Sequence, residues 1–275
     1  MNFSVREYQP SASLKQFVDC FWEGTFNLNG GENISFRMVT NACLELIIHL
    51  DDLRCNFPGP KSLTQTPDYM LIGLFTETAE VHFTGTVPVF TIRFKPEALF
   101  SLFSLNGAEV LGRYEDITLM PGNDFHDFCN RIREKNSISE MIAFSEQYLM
   151  KKLKERKSKL DYVGKAAEIM RDPGVTNIKE ISNKVCISQR QLERKFREII
   201  GIGPKHYLRL TRVNRVLKIL EHGRSLDMTS VAYHCGYFDQ AHFIKDFKKI
   251  TGKNPKLFFK QKQQFITLPG EVNFG

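Results

Sequence analysis

No two of the six cysteines (Cys20, Cys43, Cys55, Cys129, Cys186, Cys235) form a C-x-x-C pair. That absence argues against a zinc ribbon or a redox dithiol and leaves reduced, buried or half-buried thiols in a cytosolic protein. No run approaches the ~18 uninterrupted apolar residues of a membrane span. The opening Met1-Asn2-Phe3-Ser4-Val5-Arg6-Glu7 also lacks the basic and apolar regions of a signal peptide. These absences predict a soluble, cytoplasmic chain with no membrane partner. Equally missing are a Gly-x-Ser-x-Gly elbow, a Walker loop and a Gly-x-Gly-x-x-Gly turn. His49, His82 and His126 lie far apart, without the His-x-His or His-Glu-x-x-His spacing that sets two imidazoles on one metal, so each reads as a satisfied structural histidine. The expectation is a non-enzyme with no catalytic residue, metal or cofactor.

What the chain does have is a lopsided charge. Its 275 residues, 42% hydrophobic and 25% charged, suit about two ordinary globular domains. The formal net charge of +7 conceals a split: residues 1–150 hold 11 basic and 19 acidic side chains, net −8, and residues 151–275 hold 27 and 12, net +15. An acidic body joined to a strongly basic one points to a polyanion partner for the second half.

From residue 17 to about 95 the acidic half reads as strands. Phe17 to Phe26, Cys43 to Leu50 and Val87 to Phe94 are rich in aromatic and β-branched residues, and Gly, Pro, Asn and Asp cluster between them. Short, spaced strands predict a sandwich or barrel. After Pro96 the period changes: Ala98, Leu99, Leu102 and Phe103, then Phe125, Phe128 and Ile132, then Met141 to Leu153 recur at helical spacing. The charged run Lys151 to Lys159 reads as a helix end entering a linker. Inside a barrel, Trp22, Arg37, Glu45, His49 and Arg93 are the candidates for holding a small polar effector, though pairs such as Arg37 with Glu45 read equally well as a solvated strand face.

The basic half contains an internal repeat. Phe196, Gly201, Pro204 and Lys205 recur 51 residues later as Phe247, Gly252, Pro255 and Lys256, while Ile181-Ser182 and Cys186 recur 50 residues later as Val231-Ala232 and Gly236. Each copy reads as helix, tight turn, helix. Ile178 to Lys184 leads into the turn Val185-Cys186-Ile187 and the cap Ser188; Met228 to His234 leads into Cys235 to Phe238 and the cap Asp239. Gly201 and Gly252 suit helix ends, Pro204 and Pro255 suit helix starts, and Leu208 to Leu220 predicts one long connecting helix.

A helix-turn-helix unit lays its second helix in the major groove, so outward side chains there must meet base edges. With Leu192 and Phe196 inward, the first copy turns out Gln189, Arg190, Gln191, Glu193 and Arg194; the second turns out Gln240, Ala241, His242, Ile244 and Lys245. Of these, all but Ile244 are the expected base contacts. Lys195, Arg197, Lys248 and Lys249, toward the helix C-termini, suit phosphates.

At Ser188-Gln189-Arg190-Gln191-Leu192-Glu193-Arg194-Lys195-Phe196 with Gly201 to Pro204, and again at Gly236 to Phe243 with Phe247 to Lys249 and Thr251 to Pro255, the chain resembles the AraC/XylS family of bacterial transcription regulators. The resemblance covers about residues 161 to 261. It implies base contacts from Arg190, Glu193 and Arg194 in the first unit and from Gln240, Ala241, His242 and Lys245 in the second. Cys186 stands where the family usually has Gly, which implies strain if φ there is positive. Tyr8-Gln9-Pro10 through Trp22, Cys43 to Ile47, Gly73 with Thr76 and Thr78, and Ile92 to Pro96 resemble a cupin-like sensor domain without its metal signature. Such a domain implies a metal-free effector pocket, or a pocket that has lost its ligand, and helices that commonly pair two protomers.

The combined expectation is an α+β multidomain chain. Residues 1–157 form a cupin-like β-barrel with trailing helices, residues 158–261 an all-α tandem helix-turn-helix domain, and residues 262–275 a tail. The expected partner is double-stranded DNA, with a small-molecule effector and a homodimer as further partners of the barrel half. Two other readings stand beside it: a small-molecule enzyme domain fused to a DNA-binding module, which lacks a motif, and a non-specific architectural binder, which does not need base-reading Arg190, Gln191 and Glu193.

Overall fold

The computed structural model describes residues 2–27, 34–52, 54, 56–58, 63–83, 87–117, 123–155, 161–174, 177–221, 228–260 and 265–267. Among the described residues, ten strands lie in the first half: β1 (Asn2–Tyr8), β2 (Val18–Asn27), β3 (Ile34–Val39), β4 (Leu44–His49), β5 (Asn56–Pro58), β6 (Leu63–Gln65), β7 (Tyr69–Ile72), β8 (Ala79–Phe83), β9 (Val87–Phe94) and β10 (Tyr114–Asp116). Between β9 and β10 come α1 (Ala98–Phe103) and a 3-10 turn at Gly107–Glu109, and after β10 come α2 (Asn123–Arg133) and α3 (Ile138–Glu155). The expected strands at β2, β4 and β9 and the helices after Pro96 are present. β1 lies upstream of the expected start of the strand region, its Ser4, Arg6 and Glu7 being exposed while Val5 packs against the core.

Among the described residues the strands form two sheets rather than one closed barrel. One runs β1-β2-β9-β4-β7-β10 and is antiparallel throughout. The other contains β3, β8, β5 and β6 and is completed by β11 (Phe265–Thr267), which pairs in parallel with β3. The tail thus does more than trail outside the fold, since its strand returns to the first half of the chain.

The six-stranded sheet is buried on both sides, so alternate residues enter different cores. Cys20, Trp22, Ile47, Met70, Ile72, Val87 and Val89 share one cluster, against which Met38 of β3 packs from the second sheet. Their strand neighbours Phe21, Leu46, Ile48, Leu71, Phe90 and Ile92 belong to a larger cluster that continues through α1 into the helices of the C-terminal half. Burial on both faces explains why all six residues of β4 are buried.

The C-terminal half is helical: α4 (Asp161–Arg171), α5 (Ile178–Lys184), α6 (Gln189–Ile199), α7 (Pro204–Glu221), α8 (Met228–His234), α9 (Gln240–Thr251) and α10 (Pro255–Lys260). Both expected short helices and the long connector are present. Of the charged run Lys151 to Lys159, expected as a helix end entering a linker, residues 151–155 end α3 and residues 156–159 lie outside the described residues.

Candidate nucleic-acid interface

The two helix-turn-helix units, α5–α6 and α8–α9, are built by the same local chemistry. Ser188 Oγ accepts from the Gln191 backbone N–H at 3.2 Å and Asp239 Oδ1 from that of His242 at 2.7 Å, so each second helix begins on a satisfied cap. The turns match as well: the Ile187 N–H donates to Ser182 O at 3.1 Å and the Tyr237 N–H to Ala232 O at 3.0 Å. Such turns need a left-handed residue, supplied by Cys186 at φ 56° and Gly236 at φ 79°. The departure noted in the sequence is therefore a strained position, because a Cβ is unfavourable there.

Leu192, Phe196 and Ile199 of α6 and Phe243, Phe247 and Ile250 of α9 are buried and point both helices' opposite faces outward. On α6, Gln189, Arg190, Gln191 and Arg194 are exposed and Glu193 is half-buried. Arg197 pairs with Glu193 at 2.8 Å and Lys195 with Glu198 at 2.8 Å, so two expected phosphate ligands are held by carboxylates of their own helix. On α9, Gln240, Ala241, His242, Ile244, Lys245, Lys248 and Lys249 are all exposed. His242 Nε2 stands 3.6 Å from buried Asp246, whose other carboxylate oxygen faces Arg209 of α7 at 3.6 Å.

The first half grips this module near both outward helices. Gly107 lies against the end of α6 so closely that a Cβ on it would fall 2.7 Å from the carbonyl oxygens of Ile199 and Ile200, and one on Gly201 would fall 2.9 Å from Gly107 O. Thr78 Oγ1 donates to Ile250 O, near the end of α9, at 3.2 Å. At the centre, Arg171 of α4 donates to both oxygens of buried Glu97 at 2.6 and 3.2 Å and to Tyr207 Oη at 2.7 Å. No motif signalled this triad, because its members lie 74 and 36 residues apart.

Beside the triad, a cleft of about 220 Å³ opens between β-sheet and helices, lined by Asp19, Arg93, Lys95, Arg171, Arg215 and Lys218 among others. Of the five residues expected to hold an effector, only Arg93 lines it. Trp22, Glu45, His49 and Arg93 do share one face of the large sheet, but that face is filled. Trp22 is fully buried in the smaller core cluster. Glu45 forms a buried ion pair with Arg93 at 2.6 Å. His49 lies against Thr66 Oγ1 at 3.3 Å and Asp68 O at 3.2 Å. Arg37 is exposed in the other sheet. Among the described residues no group of three or more His, Cys, Asp or Glu could hold a metal ion, and no helix is long and apolar enough to cross a membrane.

Comparison with known proteins adds to this geometry. Residues 181–261 match a helix-turn-helix domain model, and residues 6–116 match a domain of unknown function, DUF6597. The transcriptional activator RhaS of Escherichia coli O157:H7 is 29% identical over 86 residues, 31% of this chain and 31% of the relative. The regulator ArgR of Pseudomonas aeruginosa is 31% identical over 77 residues, 28% of this chain and 23% of the relative. The chain therefore spans about a third or less of the length of these curated relatives. A solved structure of ToxT from Vibrio cholerae aligns with 87% of this chain and 98% of its own at 14% identity, with a TM-score of 0.49. The chain thus carries a helix-turn-helix domain behind an N-terminal β-sheet domain and is similar, over part of its length, to the transcription regulators RhaS and ArgR.

Proposed function

We propose that the protein is a sequence-specific DNA-binding transcription regulator, in which α6 and α9 enter successive major grooves about 34 Å apart on one face of the duplex. The observation that carries this reading is the pair of capped helices with exposed polar and basic faces, joined by α7 in the half of the chain with net charge +15. Gln189, Arg190, Gln191, Glu193 and Arg194 of α6 and Gln240, Ala241, His242 and Lys245 of α9 are the proposed base contacts; Lys195, Arg197, Lys248 and Lys249 the phosphate contacts. Engaging Arg197 and Lys195 requires exchanging a carboxylate of their own helix for a phosphate, which is easy at an exposed surface. Selection of bound duplexes from a random pool tests the reading. Enrichment of two half-sites one helical turn apart is expected, and recovery of unselected sequence overturns it in favour of an architectural binder.

Control enters through the interdomain cleft. Arg93, Lys95, Arg171, Arg215 and Lys218 line it with Asp19, and although Arg93 and Arg171 are already paired with Glu45 and Glu97, the remaining cationic lining suits a small anionic effector bridging the two halves. Operator affinity that is unchanged across a panel of small carboxylates and phosphates would sink this effector reading. The domain fused in front is proposed to sense the effector. Pairing of two protomers through the first half is checked by sedimentation.

A further inference from the structure

We infer that the two units read DNA by different physics, the second recognising thymine methyl groups through an apolar face formed by Phe238, Ala241 and Ile244. The inference rests on the DNA-binding reading above and specifies which base feature α9 recognises.

Among the described residues, the large hydrophobic side chains left exposed are Tyr233, Phe238 and Ile244 in the second unit and Leu257 in α10 just after it. Phe238 is 86% exposed although it directly precedes the Asp239 cap, at the end of α9 that a helix-turn-helix directs into the groove. Ala241 and Ile244 stand three residues apart on the exposed side of α9, hence on neighbouring positions of one face.

The repeat sharpens the contrast. At the offset of 51, Ala241 corresponds to Arg190 and Ile244 to Glu193, so α9 is apolar at two positions where α6 carries hydrogen-bonding side chains. By its turn hydrogen bond Ile187 of the first unit corresponds to Tyr237, so Phe238 is the extra residue of the second turn, set just before the cap. Neither Ala241 nor Ile244 can donate to or accept from a base edge. The thymine C5 methyl is the apolar feature that a major groove presents. Exposed Lys245, Lys248 and Lys249 on the same helix give the surroundings the charge that a phosphate backbone requires, and this favours DNA over a protein partner for the patch. His242, the polar side chain between the apolar positions, already faces Asp246 and packs edge-on against the Tyr237 ring at 5.7 Å.

The test uses the full chain and a duplex recovered by random selection. Arg194→Ala identifies the α6 half-site as the one where base preference relaxes. Thymines are then replaced by deoxyuridine in one half-site at a time, which removes the methyl and leaves every hydrogen-bonding edge intact. The expected result is a loss of about fourfold in affinity per contacted methyl in the α9 half-site and no comparable change in the other. The double variant Phe238→Ala, Ile244→Ala, altered only at exposed positions, is expected to bind the thymine duplex more weakly and to stop distinguishing thymine from uracil. Tight wild-type binding that ignores the replacement, or a selected α9 half-site without thymine, overturns the inference while the DNA-binding reading stands, and leaves the patch to a protein partner. Absence of any sequence preference overturns both.

Discussion

Cys186 and Gly236 occupy the same place in the two units, and the structure gives both a positive φ. A residue with a Cβ pays roughly 1–2 kcal/mol for that conformation, partly offset by the greater freedom that Gly has when unfolded. Cys186→Gly is therefore expected to stabilise the protein by about 1 kcal/mol, read as a higher urea midpoint; a lower midpoint would mean that the thiol makes compensating contacts. The repeat alignment exposed this position, but φ itself is a property of the folded backbone. His49 behaves differently. Burial pushes its pKa down to about 4, against the partial support of its bond to Asp68 O. The unfolded chain takes up this proton near pH 6.5 and the folded one only near pH 4, so stability is full above that window and is lost as pH falls through it. The loss amounts to about 3 kcal/mol at most. Unfolding of wild type and His49→Gln at pH 7.5 and 4.5 checks it, with a shallower acid-side loss expected in the variant.

At the scale of elements, the C-terminal helices were legible because caps and apolar spacing are local signals. Ser188 and Asp239 cap as their residue types predict, and the stripes Leu192, Phe196, Ile199 and Phe243, Phe247, Ile250 face inward. Outward placement of Gln189, Arg190, Gln191 and Arg194 follows from that geometry. The carboxylate pairing of Arg197 does not, since Glu193 reaches it only once side-chain rotamers are set. Arg194→Ala is expected to cost about 1–3 kcal/mol on a selected site and to relax base preference there, whereas Lys249→Ala should weaken all sequences alike and reduce the salt slope by about 1. Equal losses from Arg194→Ala on selected and random DNA would count against base reading by α6. The strands were less legible: β5, β6 and β10 have only three residues each, too few to show an alternation.

At the scale of the whole molecule, the decisive feature is the contact between halves. Arg171, Glu97 and Tyr207 tie α4 and α7 to the start of α1, and Gly107 abuts the end of α6 backbone to backbone. Removing one partner of a buried pair leaves the other charge uncompensated, so Glu97→Ala is expected to cost about 3 kcal/mol of docking. Amide exchange should show α4 and α7 losing protection while the six-stranded sheet keeps its own; unchanged protection in α4 would mean that the apolar contacts alone hold the halves together. By itself the sequence determined the acidic and basic halves, the duplicated unit, its caps and its outward residues, because charge, spacing and capping depend on neighbours a few residues away. Only the tertiary structure decided that Trp22, Glu45 and His49 lie on a filled face of the large sheet, that cations gather instead in an interdomain cleft, and that the tail strand pairs with β3. Those outcomes depend on which distant surfaces bury one another, a competition that local sequence pattern does not record.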